Sequence, residues 1–325
     1  MKKLVRMFLF IIMIFTMTSC GGKTNLNDAY DTFKDTISDA KTYKISGEMI
    51  VKRDSGEVTF DVCVLYQKPS NYKVSYQNKS NNSKQILLKN NDGVFVLIPE
   101  LNKQFKFDSS WPLNSSHIYI LETVLKDLEE DDSRKTYESE DYYVLESNVN
   151  HKLKQNLVCQ RVYLSKEDYS LKKISYNTEN EEVMTFNIKE LDINISFSNQ
   201  EFNYEAIMDS ETSIMGEGSF EDVSSIVFGD VITNVSLVSQ SVTLNTTVLT
   251  YGGEKTYYVV YSTVVDQEVS TLERIYNEVV FLDEGLGFVS TNCLTFYRNN
   301  KEFKIISQDL TLEEMVLVAN SLQLA

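Results

Sequence analysis

From Tyr43 onward the hydrophobic period of the chain drops from helical spacing to two residues, and this alternation limits the fold more than any other feature. Ile45, Gly47, Met49 and Val51 alternate with polar residues, and Val58, Phe60, Val62, Val64 and Tyr66 repeat the pattern on a second strand. A period of two places all the apolar members on one face of a pleated strand. Lys68-Pro69-Ser70-Asn71 then turns the chain into Tyr72, Val74 and Tyr76. Asn90-Asn91-Asp92-Gly93 separates strands over Gln85–Lys89 and Val94–Ile98, and residues 99–103 turn again into Gln104–Phe107. Strands joined by such short turns pair antiparallel, because a parallel pair needs a crossover of a dozen residues or more.

Helices are few. Leu26, Ala29, Phe33, Ile37 and Ala40 recur at helical spacing before the meander begins, and Ile118, Leu121, Leu125 and Leu128 share a helical face that interrupts it. Strands resume at Tyr142–Ser147, Leu157–Leu164, Lys172–Asn177 and Val183–Leu191, with a further short one at Ile193–Phe197. The pattern weakens between Asn199 and Val223, where a domain boundary is expected. A second set of strands covers Ser236–Leu244, Thr256–Val264, Gly287–Leu294 and Glu302–Ser307, with a helix or strand around Leu272–Phe281. Thr311-Leu312-Glu313-Glu314 has the capping-box spacing and opens a last helix with Met315, Val318, Ala319 and Leu322 on one face. The fold class expected is α+β, mostly β.

The first twenty residues determine where such a domain resides. Lys2, Lys3 and Arg6 precede an apolar run from Met7 to Phe15, too short for a permanent span and suited to a secretory leader. It ends in Met17-Thr18-Ser19-Cys20-Gly21, a lipobox-like sequence with small residues before the cut and a thiol to accept a diacylglyceryl group. The expected organisation is a lipoprotein signal peptide over 1–19, a tether over 20–28, a first domain over 29–205 and a C-terminal α+β domain over 206–325. Two acyl chains on Cys20 give stable anchoring, where one alone gives marginal binding. The protein is expected on the outer face of the cytoplasmic membrane. With 47 Asp+Glu against 31 Lys+Arg the formal charge is −16, which argues against nucleic acid as a partner. Cys63, Cys159 and Cys293 remain beyond the anchor, an odd number without spacing motif. Cys63 and Cys159 either meet across a sheet or, as favoured, stay free and buried.

Catalytic patterns are coincidental where they occur. Ser70-Asn71-Tyr72-Lys73 and Ser170-Leu171-Lys172-Lys173 match S-x-x-K, yet both fall at strand starts, whereas that chemistry needs a helix start and accompanying elements. Gly216-Glu217-Gly218 lacks the third glycine of a dinucleotide loop, and Glu129-Glu130-Asp131-Asp132 lacks the alternating ligands of a calcium loop. His117 and His151 have no metal-ligand spacing. No catalytic residue, metal or cofactor is expected, apart from the covalent diacylglyceryl lipid on Cys20.

With a lipobox, one N-terminal helix and a helix-interrupted meander, the chain resembles the LolA-like lipoproteins of spore-forming bacteria. The residues that carry the resemblance are Tyr66–Lys73, the hairpin Asp92–Lys103, the stretch Ser110-Trp111-Pro112-Leu113-Asn114-Ser115-Ser116, and Leu164–Ile174. Phe186–Asn194 with Phe202, and the tail Leu310–Leu322, extend it. The resemblance implies a LolA-like curved antiparallel half-barrel wrapped around helices, with an apolar concave face. For function it implies a non-catalytic sporulation or germination factor, bound to the membrane and partnered with a peptidoglycan amidase or another cell-wall protein. The alternative is a carrier or sensor that holds a hydrophobic ligand, such as acyl chains, in the concave face. Tyr72, Phe95, Trp111 and Leu113 are the candidate binding residues.

Overall fold

The computed structural model describes residues 24–324 apart from 54–55, 108–110, 113–116, 150–156, 216–224, 265–270 and 277. The leader, Cys20, Leu113, His151 and Gly216–Gly218 lie outside the described residues.

The alternating segments form one 12-stranded sheet. Helix α1 (Leu26–Asp39) leads into β1 (Thr42–Arg53), β2 (Gly56–Gln67), β3 (Asn71–Asn78), β4 (Lys84–Asn90), β5 (Gly93–Ile98) and β6 (Lys103–Phe107). Helix α2 (Leu121–Glu130) follows, then β7 (Lys135–Glu138), β8 (Tyr142–Asn148), β9 (Cys159–Ser165), β10 (Leu171–Asn177) and β11 (Glu182–Ile193). Strand β11 pairs with β1, so the two halves of the meander join at the first strand, and eleven of the twelve strands run in the order β6-β5-β4-β3-β2-β1-β11-β10-β9-β8-β7, with the twelfth added beside β6 from later in the chain. The sheet is open, curved and mostly antiparallel, as the sequence led us to expect. Its concave face wraps α1 and α2: Ala29, Phe33 and Ile37 from the first, and Leu121, Val124, Leu125 and Leu128 from the second, pack on Tyr43, Ile45, Met49, Val64 and Val74. Each large apolar side chain so withdrawn from water contributes about 1.5–3 kcal/mol.

Local chemistry fixes the ends of these elements. Asn25 caps α1, its side chain accepting from the backbone N–H groups of Asn27 and Asp28. Gly47 sits at a bulge in the β1–β11 ladder, where a Cβ would lie 2.1 Å from the carbonyl oxygen of Asn187. Only glycine fits that approach.

The region expected to be a weak linker instead contains a helix, α3 (Tyr204–Met215), capped by the Asn203 side chain, which accepts from the Ala206 N–H at 2.8 Å. The expected boundary after residue 205 therefore falls inside a helix that belongs to the first sheet. Phe202, Ile207 and Met208 cover the convex face of β4 and β5, on Leu65, Ile86, Leu88, Phe95 and Leu97. Lys84 on β4 donates to Glu211 on α3 at 2.6 and 2.7 Å.

Beyond it lie β12 (Ile226–Phe228), β13 (Val235–Thr243), β14 (Thr246–Gly253), β15 (Tyr257–Thr263), β16 (Thr271–Tyr276), β17 (Glu278–Leu282), β18 (Gly285–Ser290), β19 (Cys293–Arg298), β20 (Lys301–Ile306), helix α4 (Leu312–Asn320) and β21 (Leu322–Leu324). Seven of these strands make a second antiparallel sheet in the order β13-β14-β15-β20-β19-β18-β17. The segment around Leu272–Phe281, open between helix and strand in the sequence, is two strands. Of these, β16 leaves the second sheet and pairs parallel with β6 at the edge of the first. It arrives from far along the chain, so no hairpin dictates its direction. Helix α4 has the expected capping box: Glu314 N–H donates to Thr311 Oγ1, and Thr311 N–H donates to Glu314 Oε2 at 2.8 Å. Its Met315, Val318 and Ala319 pack with Val259, Phe296, Phe303 and Ile305 on one face of the second sheet.

Candidate functional site

The concave face carries a continuous line of aromatic rings. Tyr43, Tyr66 and Tyr72 are direct cross-strand partners on β1, β2 and β3, which sets successive ring centroids 4.9 Å apart. Trp111 stands edge-on to Tyr72 at 5.9 Å. The line continues through His117 and Tyr119, and Tyr119 meets Tyr76 of β3 at 5.3 Å. Tyr76 in turn meets Phe281 of β17 at 4.9 Å, so the line ends on the second sheet.

A carboxyl group faces this row. Tyr43 Oη donates to Glu122 Oε2 at 2.8 Å, from the first turn of α2. Burial pushes the Glu122 carboxyl up to about 7, against the opposing pull of the Tyr43 hydrogen bond. Burial and the nearby Glu122 also raise the Tyr66 phenol to about 12, and raise those of Tyr43 and Tyr72 further. The phenols thus stay neutral donors, and the acid is poised between its two forms near neutral pH.

Of the four sequence-derived candidates, the structure brings Tyr72 and Trp111 together. Both are buried. The Trp111 carbonyl also accepts from Lys89 Nζ at 2.8 Å, tying it to β4. Phe95 lies on the opposite side of the sheet, stacked on Tyr204 of α3 at 4.8 Å with Lys106 Nζ above its ring. Leu113 falls outside the described residues. The alternation that placed Phe95 in a strand could not tell which face it takes, because β5 is covered on both.

Where the two sheets meet, Phe105 contacts Phe288 and Tyr297 at 5.1 and 5.4 Å. A polar clasp flanks this seam. Glu284 accepts from Arg53 Nη1 at 3.1 Å and pairs with Arg298 Nε at 3.2 Å, and Gln85 Oε1 accepts from the Leu286 N–H at 2.7 Å. Gly285 leaves no space for a side chain against Gln85. Glu122, Arg53, Glu284 and Arg298 were not singled out from the sequence, since their partners are distant along the chain and no spacing motif marks them.

Cys63, Cys159 and Cys293 are free thiols but half-buried rather than buried as expected, with partial burial raising those of Cys63 and Cys159. Among the described residues no group of three His, Cys, Asp or Glu side chains is placed to hold a metal ion. The S-x-x-K serines Ser70 and Ser170 lie at the turns before β3 and β10. What the face offers chemically is aromatic and aliphatic packing with phenol donors around one titrating acid.

Compared with known proteins, the chain is 27% identical to the sporulation protein YdcC of Bacillus subtilis, over 99% of this chain and 98% of that one. This bears out the resemblance drawn from the sequence. No protein-family model matches. Among solved structures, MucB aligns over 94% of this chain and 99% of its own at 12% identity and a TM-score of 0.33. The LolA superfamily protein NE2245 of Nitrosomonas europaea aligns over 56% of this chain and 99% of its own at 10% identity and a TM-score of 0.32.

Proposed function

We propose that the protein is a membrane-anchored, non-catalytic sporulation or germination factor that binds and activates a cell-wall enzyme, a peptidoglycan amidase. It is held on the outer face of the cytoplasmic membrane, or in the forespore intermembrane space, by diacylglyceryl on Cys20. The anchor rests on the lipobox, and the setting on full-length similarity to a sporulation protein.

The observation that favours protein docking over acyl-chain carriage is the filling of the concave face. Helices α1 and α2 together with Trp111 and Tyr119 occupy it, and the inward row Val64, Tyr66, Tyr72, Val74, Tyr76 and Val96 is buried beneath them. An acyl chain would have to displace packed side chains, at about 25 cal/mol for each Å² of apolar contact surrendered. A protein partner needs no such opening, because it binds outer surfaces and sheet edges.

The test is affinity purification of the tagged, lipidated protein from sporulating cells after mild detergent extraction, with mass spectrometry of both bound proteins and bound lipids. A stoichiometric wall hydrolase without stoichiometric lipid supports the proposal. Stoichiometric lipid without any wall hydrolase transfers the function to carriage.

A further inference from the structure

The edge of the second sheet breaks the pattern of the rest of the molecule. In a chain with 24% charged residues, the segment from Val231 to Gly253 contains none. It includes β13, which among the described residues pairs only with β14 and so leaves one row of backbone N–H and C=O groups without ladder partners among them. Edge strands are ordinarily blunted by lysine, proline or inward-pointing charge. β13 reads Val-Ser-Leu-Val-Ser-Gln-Ser-Val-Thr and has none of these. After the buried Val235, its apolar residues are exposed: Leu237 48%, Val238 66% and Val242 64%. At the hairpin tip Leu244 is 96% exposed at φ +53°, a left-handed conformation that, Tyr169 apart, the described non-glycine residues elsewhere give to asparagines such as Asn102, Asn292 and Asn299. A bulky side chain in that conformation is strained, and such strain persists where something besides stability keeps it.

The register shows which side chains share a face. Leu237 lies across from Tyr251, Gln240 from Leu249 and Val242 from Thr247, while the ladder slips at Val238. Tyr251, Leu249 and Thr247 are buried, so Leu237, Gln240 and Val242 form the uncovered margin of that same face. The row is symmetric about Gln240, with one apolar residue on either side.

We propose that β13 pairs antiparallel with β13 of a second copy of this chain, about a two-fold axis at Gln240, to make one sheet running through a dimer. Leu237 of each copy then faces Val242 of the other, and the two Gln240 amides meet at the axis. In the same register Leu244 comes opposite Val235, the first residue of the other copy's strand. The unpaired backbone groups of both edges are satisfied at once. A second copy is the occupant because a two-fold contact must be self-complementary, and this row is. Charge points the same way. Two chains of formal charge −16 repel over most approaches, and they meet without opposing charges along an uncharged strand.

The full mature chain, purified from membranes in mild detergent, is the material for the test. Sedimentation velocity should find a dimer. Gln240→Cys should form a 240–240 disulfide, identified by peptide mass spectrometry, at least tenfold faster than Leu317→Cys joins two copies through the exposed α4 site. Leu237→Lys with Val242→Lys should weaken the dimer about a hundredfold through lost burial and facing like charges. Both positions are exposed, so circular dichroism should be unchanged. A monomeric wild type, a double-lysine variant that is as dimeric as wild type, or equal crosslinking at 240 and 317 overturns the proposal. The crosslink still decides the matter should the lysine variant fold poorly.

Discussion

Replacing Glu122 by glutamine tests the concave face through its titrating acid. Burial raises this carboxyl from an ordinary value of 4.5 to about 7 in the folded chain. Between those values the native state holds a proton that the unfolded chain has released, so stability falls as pH rises from about 4.5 to about 7. At about 1.36 kcal/mol for each tenfold change in proton affinity, the full loss is about 3 kcal/mol, of which about 2.5 kcal/mol falls between pH 5 and pH 8. Glutamine keeps an oxygen that accepts from Tyr43 Oη and removes the charge. Glu122→Gln should therefore lose about 2.5 kcal/mol less than wild type over that interval, and should be the more stable of the two at pH 8. Urea unfolding at pH 5, 6, 7 and 8, followed by far-ultraviolet circular dichroism, measures both. Comparing pH slopes cancels the contribution of every other titrating group that the two proteins share. Parallel slopes would refute the argument, since they would mean that Glu122 titrates alike in the folded and unfolded chain.

Three further perturbations probe other parts of the structure. Gly47→Ala drives a Cβ into the Asn187 carbonyl at the β1–β11 bulge and should cost more than about 2 kcal/mol in urea unfolding, with a wild-type-like midpoint counting against the close approach. Phe288→Ala empties the seam beside Phe105, Phe107 and Tyr297 and should cost about 3–5 kcal/mol, with unfolding of the two sheets separating into two calorimetric transitions. Cys20→Ala should leave the protein unprocessed or free of the membrane fraction, and normal partition into detergent with labelled lipid would remove the anchor from the account.

The strands were legible wherever one face is buried and the other wet, because that arrangement writes itself as alternation: β1 and β2 are the clearest cases. Alternation does not report coverage of the second face. The unbroken runs Ile86-Leu87-Leu88 and Val94–Ile98 carry that information, for a strand buried on both sides has no polar face. They call for a covering element, which is α3, and Asn203 with Ile207 and Met208 marks it in a stretch otherwise too sparse in apolar residues to stand out. The same two-sided burial explains why Phe95 parts company with Tyr72 and Trp111. The parallel β16–β6 pair and the Arg53–Glu284–Arg298 clasp were beyond the sequence for a different reason. They join segments far apart in the chain, and local periodicity contains nothing about such contacts. Capping chemistry is local, which is why Thr311 and Glu314 were readable.

The most direct test of the proposed function is amidase turnover on purified peptidoglycan, measured with and without the full lipidated protein in nanodiscs, using the cell-wall amidase of the same cells. Docking on a filled scaffold predicts a stable complex by size exclusion and a stimulated turnover that saturates at a fixed stoichiometry. Unchanged turnover with no complex, from protein preparations that carry stoichiometric bound lipid, would contradict it.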